Sequence, residues 1–169
     1  MKRTLVLIRH AKSSWAEALQ ADFDRPLNER GKEDAPEMGK RLKKMGIVPD
    51  LIVASKAKRA AQTAKHIAKE LHYETDNIKW VEKLYHCSPS VFEEVIGELD
   101  KDVKTVFIVA HNPGITQFAN ELSHDFSIDN MPTCGVVGAH VHLDKWEEFE
   151  TAKKQVFLFE YPKKHDHTE

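Results

Sequence analysis

Thr4-Leu5-Val6-Leu7-Ile8, followed at once by Arg9-His10, is the stretch on which the fold turns. Its β-branched and leucine side chains run without a polar interruption, as in a strand buried on both faces. Two further runs share this character, Leu51 to Ala54 and Thr105 to Ala110, each bounded by polar or turn residues. Between them the apolar residues take helical spacing: Ala35, Met38, Leu42 and Met45; Ala61, Ala64, Ala68 and Leu71; Phe92, Val95, Ile96 and Leu99; Ile115, Phe118, Ala119 and Leu122. Each set lines one face of a helix. Ser88-Pro89 reads as an N-cap with proline in the first turn, and Pro36 predicts a kink or a late start in a helix beginning near Asn28. Strand and helix in alternation give a three-layer α/β/α fold around a mostly parallel open sheet with right-handed crossovers.

The last third departs from this alternation. Cys134 to Leu143 and Gln155 to Tyr161 read as strands, and the polar stretch from Trp146 to Lys154 leaves room for a turn but not for a crossover helix. One edge of the sheet is therefore expected to be antiparallel. A chain of 169 residues suits one core. We expect a single domain over residues 1–162 and a polar tail at 163–169 that frays, its histidines His165 and His167 solvated.

Composition narrows the function. Lysine plus arginine total 25 against 27 acidic residues, a net charge of −2 that argues against a nucleic-acid partner. A hydrophobic share of 41% in separated runs describes a globular protein. The longest run, Val106 to Ala110, falls far short of the roughly 18 residues that span a bilayer, so no membrane partner is expected. The opening residues read as a first strand and not as a cleaved leader, which makes the cytoplasm the expected location. Cys87 and Cys134 lack any CxxC spacing and are expected to be free thiols.

In open α/β sheets, ligands bind at the carboxyl ends of the parallel strands. After the three central runs come Arg9 and His10; Ser55 and, one turn into a helix, Arg59; and His111, Asn112, Pro113 and Gly114. Guanidinium forks match phosphate oxygens and stay charged, while a neutral imidazole serves as nucleophile or as acid and base. Two arginines and two histidines on one sheet edge point to a phosphoryl group as ligand.

Leu7-Ile8-Arg9-His10-Ala11-Lys12-Ser13 closely resembles the arginine-histidine signature of the histidine phosphatase superfamily, which includes phosphoglycerate mutases and acid phosphatases. Asp24-Arg25-Pro26-Leu27-Asn28-Glu29-Arg30-Gly31, Ser55 to Thr63 with Arg59, Leu84-Tyr85-His86 and His111-Asn112-Pro113-Gly114 are similar to the short branch typified by the SixA phosphohistidine phosphatase. The resemblance runs in order from about residue 3 to residue 143 and implies a phosphoglycerate mutase-like fold. It also implies that His10 is a nucleophile that becomes transiently phosphorylated, that Arg9, Arg59 and His111 line the phosphate pocket, and that neither metal nor cofactor takes part. Charge on Arg9 and Arg59 disfavours the imidazolium form of His10, and His111, protonated or donating, joins them in steadying the transferring phosphoryl group. Ser13 and Asn112 are further candidate phosphate contacts, and Trp15 a rim residue.

Where acid phosphatases carry an aspartate as proton donor after the second histidine, this sequence has Asn112, which has no acidic proton. Glu82 resembles in position the acid of the mutase branch and is the remaining candidate, with a plain surface carboxylate as its other reading. An alkoxide leaving group needs protonation, whereas imidazole, with a pKa of about 6.5, leaves with little help. Only about 20 residues, Ala11 to Arg30, are free to build a lid, so the pocket is expected to be shallow. The expected function is hydrolysis of phosphohistidine on a protein, such as a histidine phosphotransfer domain, by a monomeric, metal-independent enzyme. The alternatives are a phosphatase for small phosphorylated substrates and a module that captures phosphoryl groups without turnover. Lys40, Arg41, Lys43, Lys44, Lys56, Lys58, Lys65 and Lys69 read as a basic rim or as solvated helix faces. Tyr85 and His86 read as packing residues, and His140 and His142, alternating along an edge strand, lack a third ligand for zinc.

Overall fold

The computed structural model describes residues 1–165. Its first strand, β1 (Lys2–Arg9), takes in the opening apolar run, whose side chains alternate between two cores. Leu5 and Leu7 enter one cluster, Val6 and Ile8 the other, and all four are fully buried. The chain continues through α1 (Glu29–Lys44), β2 (Leu51–Ala54), α2 (Lys58–Glu70), the two-residue β3 (Lys79–Trp80), α3 (Pro89–Gly97), β4 (Thr105–Ala110), α4 (Gly114–Asn120), β5 (Val136–His142) and β6 (Lys153–Glu160).

The strands form one sheet in the order β3-β2-β4-β1-β5-β6. The first four run parallel, while β5 pairs antiparallel with β1 and β6 antiparallel with β5. Residues of α1 and α2 pack on one face and those of α3 and α4 on the other, so the sheet is the middle of three layers. The expected α/β/α fold with an antiparallel edge is the one observed. β5 is nevertheless internal: β6 covers it, and His140 stacks on Phe157 of β6 with ring centroids 4.0 Å apart.

Several local expectations change. Asn28 caps α1 by accepting the Gly31 N–H at 2.8 Å, so the helix starts early and runs on through Pro36. Proline there forfeits only the bond to the carbonyl of exposed Lys32. Met45 falls past the end of α1 and is 43% exposed, not on the buried face. Ser88 has the N-cap backbone ahead of Pro89, but its hydroxyl shares a hydrogen bond with Ser90 Oγ at 2.9 Å instead of capping the helix. The stretch read as a polar turn holds a 3-10 helix, Trp146–Thr151, that buries Trp146 and Phe149. Of the proposed tail, 163–165 are described and His167 lies outside the described residues. His165 Nε2 sits 3.0 Å from Oε2 of buried Glu160, which ties it to the domain. Cys87 and Cys134 are free thiols. Among the described residues no helix is long and apolar enough to cross a membrane.

Candidate active site

Strand ends deliver the site. His10 follows β1, its N–H donating to the Ala110 carbonyl at 3.1 Å and its carbonyl accepting the Cys134 N–H at 2.9 Å. The neighbouring chain segments thus grip its main chain from both sides. The next N–H, of Ala11, donates to Thr63 Oγ1 of α2 at 3.0 Å, and that hydroxyl donates to the Arg59 carbonyl at 2.7 Å, which locks the first turn of α2 to the end of β1. His111 follows β4. Two glycines allow the surrounding segments to close up: a Cβ on Gly31 would stand 2.2 Å from the Lys12 carbonyl oxygen, and one on Gly114 would stand 2.2 Å from that of Cys87. His86 and Cys134 hold the left-handed backbone conformation beside the site.

The hydrogen bonds settle where the proton of His10 lies. His10 Nδ1 donates to the Ala11 carbonyl at 2.7 Å, so Nε2 is the bare nitrogen, and Arg59 Nε donates to it at 3.3 Å. The His111 ring is tilted 52° to that of His10, with centroids 5.2 Å apart. Its Nε2 lies 2.8 Å from Ser55 Oγ, which also accepts the Ala57 N–H at 3.2 Å. With the Ser55 hydroxyl donating, the His111 proton sits on Nδ1. Burial pushes His10 down to about 3, with Arg59, Arg9 and Arg25 adding to it; burial also pushes His111 down to about 3, helped by His10 and Arg59. Burial, more than the arginines, therefore keeps His10 neutral, and His111 is a neutral donor and not an imidazolium.

This neutrality has a cost in acid. Between pH 6.5 and about 3 the unfolded chain binds protons at these histidines that the native protein refuses. Stability accordingly falls as pH drops through that window, by up to about 1.4 kcal/mol per pH unit for each histidine. Urea unfolding at pH 7.5 and pH 5 is expected to show a lower midpoint at pH 5, and His111→Gln a smaller drop.

The two histidines sit in a cleft of about 380 Å³, lined also by Arg9, Lys12, Arg25 and Arg59, with Ser13, Trp15 and Asn112 among the remaining residues. Arg9 Nη1 is anchored on the Met131 carbonyl at 2.9 Å, and Arg25 Nη2 donates to Ser13 Oγ at 2.7 Å. Arg9 Nε, Arg25 Nε and Nη1, and His111 Nδ1 are shielded from solvent yet have no hydrogen-bond partner among the described residues. Arg25 Nε has only an ion-pair contact, 3.4 Å from Asp22 Oδ1, and buried guanidinium N–H groups without hydrogen bonds are what a tetrahedral oxyanion satisfies. The Trp15 ring lies 3.3 Å from the Arg25 guanidinium carbon and is 77% exposed, which places it on the rim.

Arg9, His10, Arg59, His111 and Ser13 come together as the sequence predicts. Asn112 lines the cleft, but its amide is already engaged: Nδ2 donates to Asn130 Oδ1 at 2.8 Å and to the Met131 carbonyl at 3.2 Å, and Oδ1 accepts from Thr116. It braces the segment that holds Arg9. Glu82 does not join the cleft; it is exposed in a short 3-10 turn, Glu82–Leu84, and lines a separate groove. The acid that does reach the arginines is Asp22, which carried no role in the sequence reading. Its Oδ2 accepts from Arg59 Nη2 at 3.0 Å and from the Tyr85 hydroxyl at 2.5 Å, with His86 Nε2 3.6 Å away. Tyr85, then Arg59 and Arg25, hold its carboxyl below the usual range. Tyr85 is thus more than a packing residue. Arg25 was legible only as part of the Asp24-Arg25-Pro26 motif; Asp22 gave no signal beyond lying two residues before it. Among the described residues, no group of three or more histidine, cysteine, aspartate and glutamate side chains could hold a metal ion.

Residues 5–85 match the family model described as the histidine phosphatase superfamily, branch 1. Over those residues the chain is similar to the histidine phosphatase superfamily. An uncharacterized chloroplast protein of Arabidopsis thaliana is 29% identical over 156 residues, covering 88% of this chain and 71% of its own. A Nakamurella multipartitia structure assigned as the phosphohistidine phosphatase SixA superposes with a TM-score of 0.83 at 23% identity, covering 96% of this chain and 97% of that one. The protein histidine phosphatase SixA complexed with tungstate superposes with a TM-score of 0.79 at 20% identity, covering 94% and 97%. The chain therefore has the fold seen in SixA structures, the phosphoglycerate mutase-like architecture.

Proposed function

We propose that the protein is a phosphatase that hydrolyses phosphohistidine on a partner protein through a phosphorylated His10. In the first step His10 Nε2 attacks phosphorus, the P–N bond to a substrate imidazole already protonated on its other ring nitrogen breaks, and its electron pair stays on the departing nitrogen, so that neutral imidazole leaves without an acid from the cleft. Water then attacks phospho-His10 and releases inorganic phosphate, restoring the neutral ring. Arg9, Arg25, Arg59 and the Nδ1–H of His111 stabilise the charge spread over the equatorial oxygens.

The observation that carries this reading is the protonation chemistry of the cleft. Its described lining holds no carboxylate, and Asp22, bonded to Arg59, is kept ionised and so is a poor proton donor. An alcohol leaving group asks for an acid; an imidazole, with its pKa of about 6.5, does not. The tungstate held by a protein of this fold supports an oxyanion in the cleft. The same proposal includes a single domain over residues 1–162 working as a monomer in the cytoplasm.

Glu82→Gln is expected to leave phosphate release within about twofold of wild type, because the side chain is outside the cleft. Asp22→Asn removes a negative charge next to Arg59 and should lower the inhibition constant for tungstate on the order of tenfold while reducing kcat. Unchanged inhibition would show that Asp22 is remote from the anion.

The reading is tested by incubating the purified protein, with and without EDTA, with a phosphohistidine-bearing protein and with an aryl phosphate. EDTA-resistant release, faster on phosphohistidine, is expected. Preference for the aryl phosphate would replace it with a small-molecule phosphatase, and inactivity on both with a phosphoryl-binding module.

A further inference from the structure

The helix that supplies Arg59 has a second working flank. A groove of about 810 Å³ adjoins the site, lined by Phe23, Lys56, Lys65, Lys69, Trp80 and Glu82 among others. Lys56 comes from the turn between β2 and α2, directly after the Ser55 that bonds His111. Lys65 and Lys69 are four residues apart on α2 and so share a face of it. All three lysines are exposed, and none makes an ion pair among the described residues, although Asp76 and Glu82 are also part of the lining. Two aromatic surfaces accompany them. The Lys65 amino group stands 5.8 Å from the Trp80 ring centroid, and Phe23 packs edge-on against Tyr85 with centroids 5.0 Å apart.

Phe23 and Tyr85 also connect the groove to the cleft. Phe23 follows Asp22, whose carboxylate joins Tyr85 to Arg59. A phosphoryl group seated against Arg59 therefore belongs to a molecule that, if large enough, continues past Phe23 on to the lysines. A small phosphate ester needs only the cleft. We propose that the groove docks an acidic segment of the phosphoprotein substrate next to its phosphorylated residue, carboxylates meeting Lys56, Lys65 and Lys69 and an apolar side chain resting on Phe23 and Trp80. This rests on the protein-phosphohistidine reading above and names the surface that distinguishes a protein substrate from a small one. Attraction of this kind acts through KM and weakens with salt.

The test is the double variant Lys65→Glu with Lys69→Glu, both exposed positions where the fold tolerates charge. It is assayed against a phosphohistidine-bearing protein with acidic flanking residues and, in parallel, against phosphoimidazole. On the protein, KM is expected to rise about tenfold with kcat within about twofold, and the difference from wild type to shrink at high salt. On phosphoimidazole, kcat/KM is expected to stay within about twofold. An unchanged KM on the protein, or an equal loss on both substrates, overturns the docking groove while leaving the phosphohistidine reading standing. Wild-type protein that hydrolyses phosphoimidazole but not the phosphoprotein overturns both, and the groove then serves some other occupant.

Discussion

Replacing His10 with alanine is expected to lower phosphate release from a phosphohistidine protein by about 10⁴-fold or more, the scale on which removal of a covalent nucleophile acts. His10 is the one histidine of the pair whose free nitrogen faces a guanidinium, with Nδ1 committed to the Ala11 carbonyl and Nε2 receiving Arg59 Nε. His111 cannot substitute for it, because its Nε2 is taken by Ser55. The check is twofold. Rapid quench should trap an acid-labile phosphoenzyme in wild type and none in His10→Ala, while tungstate binding should survive in the variant, since Arg9, Arg25 and Arg59 remain. A variant that keeps a hundredth of the wild-type rate would mean that water attacks the substrate directly and that no covalent intermediate forms.

Arg59→Ala is expected to cost on the order of 10²–10³-fold in kcat/KM, the effect of removing one preorganised donor from a developing oxyanion. The expectation is at the upper end because Arg59 does three things at once. It donates to His10 Nε2, it carries positive charge into a site where it is only 4% exposed, and its Nη1 and Nη2 hold the Asp22 carbonyl and carboxylate at 2.7 and 3.0 Å. Arg59→Lys keeps the charge but loses the fork and should recover only part of the activity. Lys83→Ala is the matched control, since Lys83 pairs with Glu94 and Glu98 on the surface at 2.8 and 3.6 Å. Equal losses in Arg59→Ala and Lys83→Ala would displace the phosphate pocket from where Arg59 sits.

The parts of the molecule that were legible in the sequence are those where one residue pattern has one physical outcome. The bounds of β2 and β4 follow from their apolar runs, since a strand buried on both faces ends where the polar residues begin. The residues at and just past the ends of β1, β2 and β4 had to share an edge once those strands were parallel, and so Arg9, His10, Ser55 and His111 meet. Other features depend on geometry that spacing does not encode. β3 has two residues and exists because Lys79 and Trp80 lie alongside Val53 and Ala54, not because of any local preference. Trp146 is drawn into the core from a polar stretch by a hydrogen bond from its Nε1 to the Val103 carbonyl, 43 residues away. Glu82 was favoured by chain position, but the 3-10 turn that carries it buries Leu84 and leaves the carboxylate outside the cleft. Asp22 and Arg25 sit on the loop between β1 and α1, whose path is set by tertiary bonds such as Ser14 N–H to the Pro26 carbonyl and Leu27 N–H to Gln62 Oε1.

The grip on the His10 main chain makes that residue an anvil. With its N–H fixed to Ala110, its carbonyl to Cys134 and its side chain 5% exposed, it cannot swing out to meet a different reactant at each stage. On the two-step route, the partner protein and the water molecule must therefore visit the same phosphorus atom through the same cleft, one after the other. A partner that lingers after giving up its phosphoryl group shields phospho-His10 and is itself the nearest acceptor. Hydrolysis is then timed by how quickly the spent partner leaves, and slow leavers regain what they gave.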